Sequence, residues 1–119
     1  MSRTITISEE TYNSIKGQLT PDVKLSDNYV IVRTYSAGVH AGELHSCDGK
    51  EVVLTNTRRL WYWKGAASLS ELALRGVKYP NECKFSVPVP KNILTEAIEI
   101  IECTTEAQAN IKEVPEWTA

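Results

Sequence analysis

Three β-branched and aromatic segments follow one another between Tyr29 and Asn56, and the links between them are too short to hold a helix. Tyr29–Tyr35 reads as a first strand, Ser36-Ala37-Gly38 as a turn, and Val39–Cys47 as a second strand weakened by Gly42. Asp48-Gly49 is a two-residue hairpin signal, because both positions tolerate a positive φ. Lys50–Asn56 is the third strand and Arg59–Trp63 a fourth. Parallel neighbours need a crossover of a dozen or more residues, so these strands are expected to form an antiparallel meander.

Helices are expected around the meander. Ser8 with Glu9 and Glu10 marks a helix start, Tyr12, Ile15 and Leu19 give it one apolar face, and Pro21 ends it, with residues 20–28 as a loop. Ser68-Leu69-Ser70-Glu71 is a capping box ahead of a short helix that stops at Gly76. Lys84–Val87 is a short strand, confined to an edge by Pro88 and Pro90, and Ala97–Cys103 is a longer one. Thr105 with Gln108 opens a last helix whose face is Ala107, Ile111 and Val114. The expected class is α+β, an antiparallel meander with a few short helices. Residues 1–28 form a helical extension and residues 29–119 a ligand-binding domain.

The densest chemistry is Arg58-Arg59-Leu60-Trp61-Tyr62-Trp63. Strand alternation places Arg59, Trp61 and Trp63 on one face and Arg58, Leu60 and Tyr62 on the other. A guanidinium beside indole rings suits a ligand that is flat at one end and anionic at the other, as a nucleotide is. The plainer alternative makes the tryptophans core, with the arginines reaching to water or with Arg58 and Tyr62 facing the ligand. The Ser68 helix start, with Ser68 and Ser70 hydroxyls, is a second place for phosphate, or else a simple cap.

Charge narrows the partners. The 119 residues carry a formal net charge of −2, which argues against broad binding to a nucleic-acid polymer or an anionic membrane. Three of the chain's five arginines, Arg33, Arg58 and Arg59, lie in the strand region. Cys47, Cys83 and Cys103 are an odd, widely spaced set that reads as reduced thiols. No apolar run of membrane-spanning length and no signal peptide is evident. His40, His45 and Cys47 invite a metal, but alternation separates the two histidines, and His45 with Cys47 gives two ligands where zinc takes three or four. The alternative reading is a small nucleotide-signal hydrolase with Ser36, His40 and Glu43 as its machinery, but no nucleophile elbow or Gly-rich phosphate loop accompanies them.

Long blocks of the chain resemble one family. They are residues 29–42, Gly49–Leu54, Arg58–Ala73, Gly76-Val77, Cys83-Lys84-Phe85 and Leu94–Ile100. They look like the small phage proteins of the anti-Thoeris sponge family, the first Thoeris anti-defence type, over about residues 29–117. The resemblance implies that the chain binds a cyclic ADP-ribose isomer made by bacterial TIR enzymes and holds it without degrading it. The Thoeris effector then stays off in the host bacterial cytoplasm. It implies a homo-oligomer, a dimer with signal pockets at its interface, and in hexameric members a separate site for cyclic di- or trinucleotides. No cofactor, metal or catalytic set is expected. Combined with the residue chemistry, the expected ligand-binding set is Arg33, Tyr35, Ser36, Arg58, Arg59, Trp61, Trp63, Ser68, Ser70 and Phe85.

Overall fold

The computed structural model describes residues 23–118. The helix expected from Ser8 lies outside the described residues. The strands are β1 (Leu25–Thr34), β2 (Val39–Asp48), β3 (Glu51–Tyr62), β4 (Lys84–Phe85), β5 (Val89–Leu94) and β6 (Ala97–Thr104). Helix α1 (Leu69–Arg75) follows β3, a 3-10 turn spans Pro80–Glu82, and helix α2 (Thr105–Glu113) follows β6. All six strands join one antiparallel sheet in the order β4-β3-β2-β1-β6, with β5 also pairing β3. This is an α+β domain, as the strand and helix signals require.

Several boundaries differ from the sequence reading. β1 starts at Leu25, inside the stretch expected to be a loop, because Leu25 pairs with Thr104 and the Ser26 hydroxyl donates to the Cys103 carbonyl at 2.9 Å. The third and fourth expected strands are one continuous β3. Pro90 lies within a strand, β5, which is tolerated because β5 pairs only with β3 and sits on an edge. The cap of α2 is Thr104 rather than Thr105, since the Thr104 hydroxyl accepts from the Ala107 N–H at 3.0 Å. The cap of α1 is Ser68 as expected. Its hydroxyl accepts from Glu71 N–H, while the Glu71 carboxylate reaches back to Ala67 N–H at 2.9 Å.

The sheet is strongly curled. Were it flat, β5 and β6 would lie four strand spacings apart, about 19 Å. Three Cα steps join Leu94 to Ala97, and they span at most about 11 Å. The curl resolves this conflict. The tip of the β2–β3 hairpin comes over to β6, where Ala97 N–H donates to the Lys50 carbonyl at 3.0 Å. Curling buries β1 on both faces. Tyr29 and Ile31 pack with Leu72, Ala73, Phe85, Ala107 and Ile111 under the two helices. Val30 and Val32 pack with Val52, Leu54, Leu94 and Ala97 inside the curl.

A bulge in β3 sets the orientation of the arginines. The pairing with β2 shifts between Glu43↔Thr55 and Ala41↔Arg58, and Asn56 sits there with φ 46°. One extra residue flips the alternation of the bulged strand. Val52 and Leu54 face the inside of the curl, whereas beyond the bulge Arg58 and Leu60 face the helices.

Gly76 closes α1 with φ 79° and ψ −156°, a region that essentially only glycine occupies. A Cβ there would run into the Asn110 amide, which clamps Val77 through bonds of 2.8 and 3.0 Å. Gly76→Ala is expected to lower stability by about 1–3 kcal/mol from the backbone alone, and more as the clamp gives way. Urea unfolding monitored by tryptophan fluorescence checks this.

Candidate functional site

On the sheet face opposite the helices, the C-terminal half of β3 presents Arg59 and Trp61 together. The Arg59 backbone is held on its outer side by Ser86. Arg59 N–H donates to the Ser86 hydroxyl at 2.8 Å, and Ser86 N–H donates to the Arg59 carbonyl at 2.9 Å. Among the described residues the guanidinium has no ion pair or hydrogen bond. The ion pairs among the described residues involve Arg33, Lys64, Arg75 and Lys112. A shallow cleft of about 210 Å³ lies beside it, lined by Thr57, Arg59, Trp61, Ser86, Val89 and Asn92.

Trp61 is 52% exposed, unusually open for an indole. Trp117 meets it edge-on, with ring centroids 5.3 Å apart and an interplanar angle of 71°. The C-terminal tail brings Trp117 there. Glu116 bridges in parallel to Phe85, and Trp117 N–H donates to the Phe85 carbonyl at 2.9 Å. The Lys84 ammonium lies 5.3 Å from the centre of the Trp117 ring. Two open indoles, a guanidinium and an ammonium therefore share one region of the surface. Such a region stacks a flat ring and pairs an anion.

Other residues of the expected set lie elsewhere. Arg58 is only 3% exposed and faces the helices, where its Nε donates to the Ser86 carbonyl and its Nη1 to the Ile111 carbonyl, each at 2.8 Å. Burial pulls its pKa below the usual arginine value. Phe85 is fully buried in the helix-side core, with the Arg58 guanidinium 5.5 Å from its ring centre. Trp63 lies past the end of β3 and packs half-buried against the same core. Ser68 spends its hydroxyl on the α1 cap, and Ser70 is exposed on α1, a helix of seven residues. Arg33 pairs with Glu99 at 3.0 Å, Tyr35 is exposed beyond β1, and the Ser36 hydroxyl donates to the Glu96 carboxylate. Of the ten residues, Arg59 and Trp61 stand together at the cleft. Trp117, Lys84, Ser86 and Asn92 join them without having been legible from the sequence, because pairing between segments distant in the chain delivers them.

The hydrolytic candidates are not assembled. His40 is fully buried, and its Nε2 lies 2.9 Å from the Ala37 carbonyl, which fixes the proton on that nitrogen. Ser36 is engaged with Glu96, and Glu43 accepts from Thr55 and Asn56. Among the described residues no group of three or more His, Cys, Asp or Glu side chains is placed to hold a metal. The three cysteines are free thiols, and burial pushes the Cys103 thiol up to about 12. No helix among the described residues is long and apolar enough to cross a membrane.

Burial lowers the His40 pKa below 6.5; the bond to the Ala37 carbonyl opposes it in part, and the nearby Arg59 charge adds a smaller push downward. The unfolded chain therefore takes up a proton near pH 6.5 that the folded chain resists. Stability is expected to be full above that pH and to fall as the pH drops below it, because the unfolded state binds more protons there. Urea midpoints between pH 7.5 and 5.5 should fall for the native chain and stay flatter for His40→Gln.

A family model described as a domain of unknown function, DUF6948, matches residues 27–111. No curated protein and no solved structure matches the chain.

Proposed function

Since the chain belongs to that DUF6948 family, whose description assigns no activity, we propose a function from the site and from the resemblance of its sequence blocks. The protein is a non-catalytic binder of a nucleotide-type signal of the cyclic ADP-ribose class, which it sequesters intact and so keeps from the Thoeris effector. The observation that carries this reading is the pairing of the Arg59 guanidinium with the open Trp61 indole on one face, beside Trp117 and Lys84. The indoles take the adenine and the cations take the pyrophosphate. The dispersal of Ser36, His40 and Glu43 into other bonds favours sequestration over hydrolysis.

Pockets for ligands of this size run about 300–1,000 Å³. The cleft of about 210 Å³ covers part of such a ligand. A second copy of the chain supplies the remaining wall, so the proposal includes a dimer as the binding unit.

The test is a binding and release experiment. The purified protein is incubated with a cyclic ADP-ribose isomer, washed, heat-denatured, and the supernatant read by mass spectrometry. Intact ligand near one equivalent or less per protomer supports sequestration, and ADP-ribose in excess of protomers overturns it. Trp61→Ala should weaken binding about ten- to a hundredfold, the stacking contribution of one base on one ring. Its melting temperature should stay near that of the native chain, because Trp61 is exposed. Lost binding together with gross unfolding would return the indole to a structural role.

A further inference from the structure

On the helix side of β3, away from the Arg59 and Trp61 face, lies a second cleft of about 230 Å³, lined by Tyr29, Asn56, Arg58, Pro88 and Lys112. Its base is built from side chains that are buried yet incompletely bonded. Arg58 commits Nε and Nη1 to carbonyls, but its Nη2 has no hydrogen-bond partner among the described residues. The Tyr29 hydroxyl is likewise buried without one. Buried polar atoms are paired in more than nine cases out of ten, and a guanidinium N–H left bare is costly. At the rim, the Lys112 ammonium stands 5.6 Å from the centre of the Tyr29 ring.

These donors have a common acceptor type. A guanidinium N–H, a phenol O–H and an ammonium offer hydrogen, and none of them accepts in its charged or usual form except the phenol. Carboxylates stand nearby and limit the affinity. Glu43 lies 3.9 Å from Lys112 but takes its bonds from Thr55 at 3.2 Å and Asn56 at 3.0 Å. Glu116 is close enough to Arg58 to act on its charge. We propose that this cleft is a binding site for a single tetrahedral oxyanion of the phosphate type, held by Arg58 Nη2, the Tyr29 hydroxyl and Lys112. The site is separate from the Arg59 face and stands whether or not that face binds a nucleotide.

The test uses the full chain and two probes, inorganic phosphate and adenosine 5′-monophosphate, titrated at constant ionic strength against chloride by calorimetry and thermal melting. Arg58 also bonds the fold together, so the informative variants are Tyr29→Phe, which removes one hydroxyl, and Lys112→Gln on the exposed side of α2. Saturable phosphate binding that raises the melting temperature is expected. Each variant should weaken it about ten- to a hundredfold, the loss of one hydrogen bond to a charged group. Without phosphate, Tyr29→Phe should melt no lower than the native chain, since it deletes an unpaired buried group. Glu43→Gln should tighten binding severalfold, and Arg59→Ala should leave it unchanged. Binding of either probe that Tyr29→Phe and Lys112→Gln weaken and Arg59→Ala does not supports the site, whereas binding that Arg59→Ala alone weakens belongs to the other face and overturns it. No saturable binding of either probe overturns it. Equal stabilisation of the native chain and both variants also overturns it, because phosphate then acts only by exclusion from the surface.

Discussion

Phe85→Ala should lower the stability of this protein by about 3–5 kcal/mol, the usual loss for a buried phenyl cut to a methyl. Phe85 has no exposed surface, and it packs where β3, both helices and the C-terminal tail converge. One further side-chain contact goes with the ring, and two backbone contacts pass through its position. It pairs with Leu60 in the sheet, carries the Arg58 guanidinium 5.5 Å from its ring centre, and sits in the segment that anchors Trp117. Domains of this kind are stable by roughly 5–15 kcal/mol, so one side chain here accounts for a large share. Thermal melting should show a drop of more than about 10 °C. As an expected ligand contact, Phe85 would behave differently, losing affinity with little change in melting. A melting temperature within a degree or two of the native chain would remove Phe85 from the core.

The second large effect separates two adjacent arginines. Arg58→Met keeps much of the side-chain volume but leaves the Ser86 and Ile111 carbonyls without the guanidinium donors at 2.8 Å. The Ile111 carbonyl keeps the Val114 N–H at 3.3 Å, so the Ser86 carbonyl alone loses its donor outright at about 1–3 kcal/mol, and the weakened Ile111 acceptor adds about 1 kcal/mol, for an expected total of about 2–4 kcal/mol. Arg59→Met, on an exposed side chain, should fall within about 0.5 kcal/mol of the native chain. The contrast tests the bulge at Asn56 directly. Were β3 regular, alternation carried forward from the buried Val52 and Leu54 would turn Arg59 toward the helices and Arg58 away. Denaturant titrations showing Arg59→Met as the costlier change would mean that the β3 register is wrong.

Several features of this protein are settled by neighbouring residues alone. Asp48-Gly49 turns β2 into β3, and Gly49 adopts φ 61° there. Ser68 and Glu71 start α1 through two bonds that span three and four residues. Alternation over two positions of β3 places Arg59 and Trp61 on one face, where both line the same cleft. Each is local: the atoms concerned lie within one turn or one strand, so short-range sterics and hydrogen bonding suffice. The same reasoning missed β5 because Pro88 and Pro90 argue against a strand, and an edge position that tolerates them is a property of the assembled sheet.

The candidate site was legible only in part. Its indole and guanidinium were visible in the Arg58–Trp63 run, but alternation within six residues could not say which arginine is buried. That depends on one extra residue in β3 opposite β2, a matter of register between strands. Trp117 reaches Trp61 because the tail bridges to Phe85, more than thirty residues earlier in the chain. Phe85, Tyr29 and Lys112 meet Arg58 only once both helices have packed against the sheet. The sequence alone determined the described strands other than β5, both described helices, and the chemistry they carry. Tertiary structure decided which side of each strand is buried, because the short link from β5 to β6 forces the sheet to curl and the bulge at Asn56 resets its alternation.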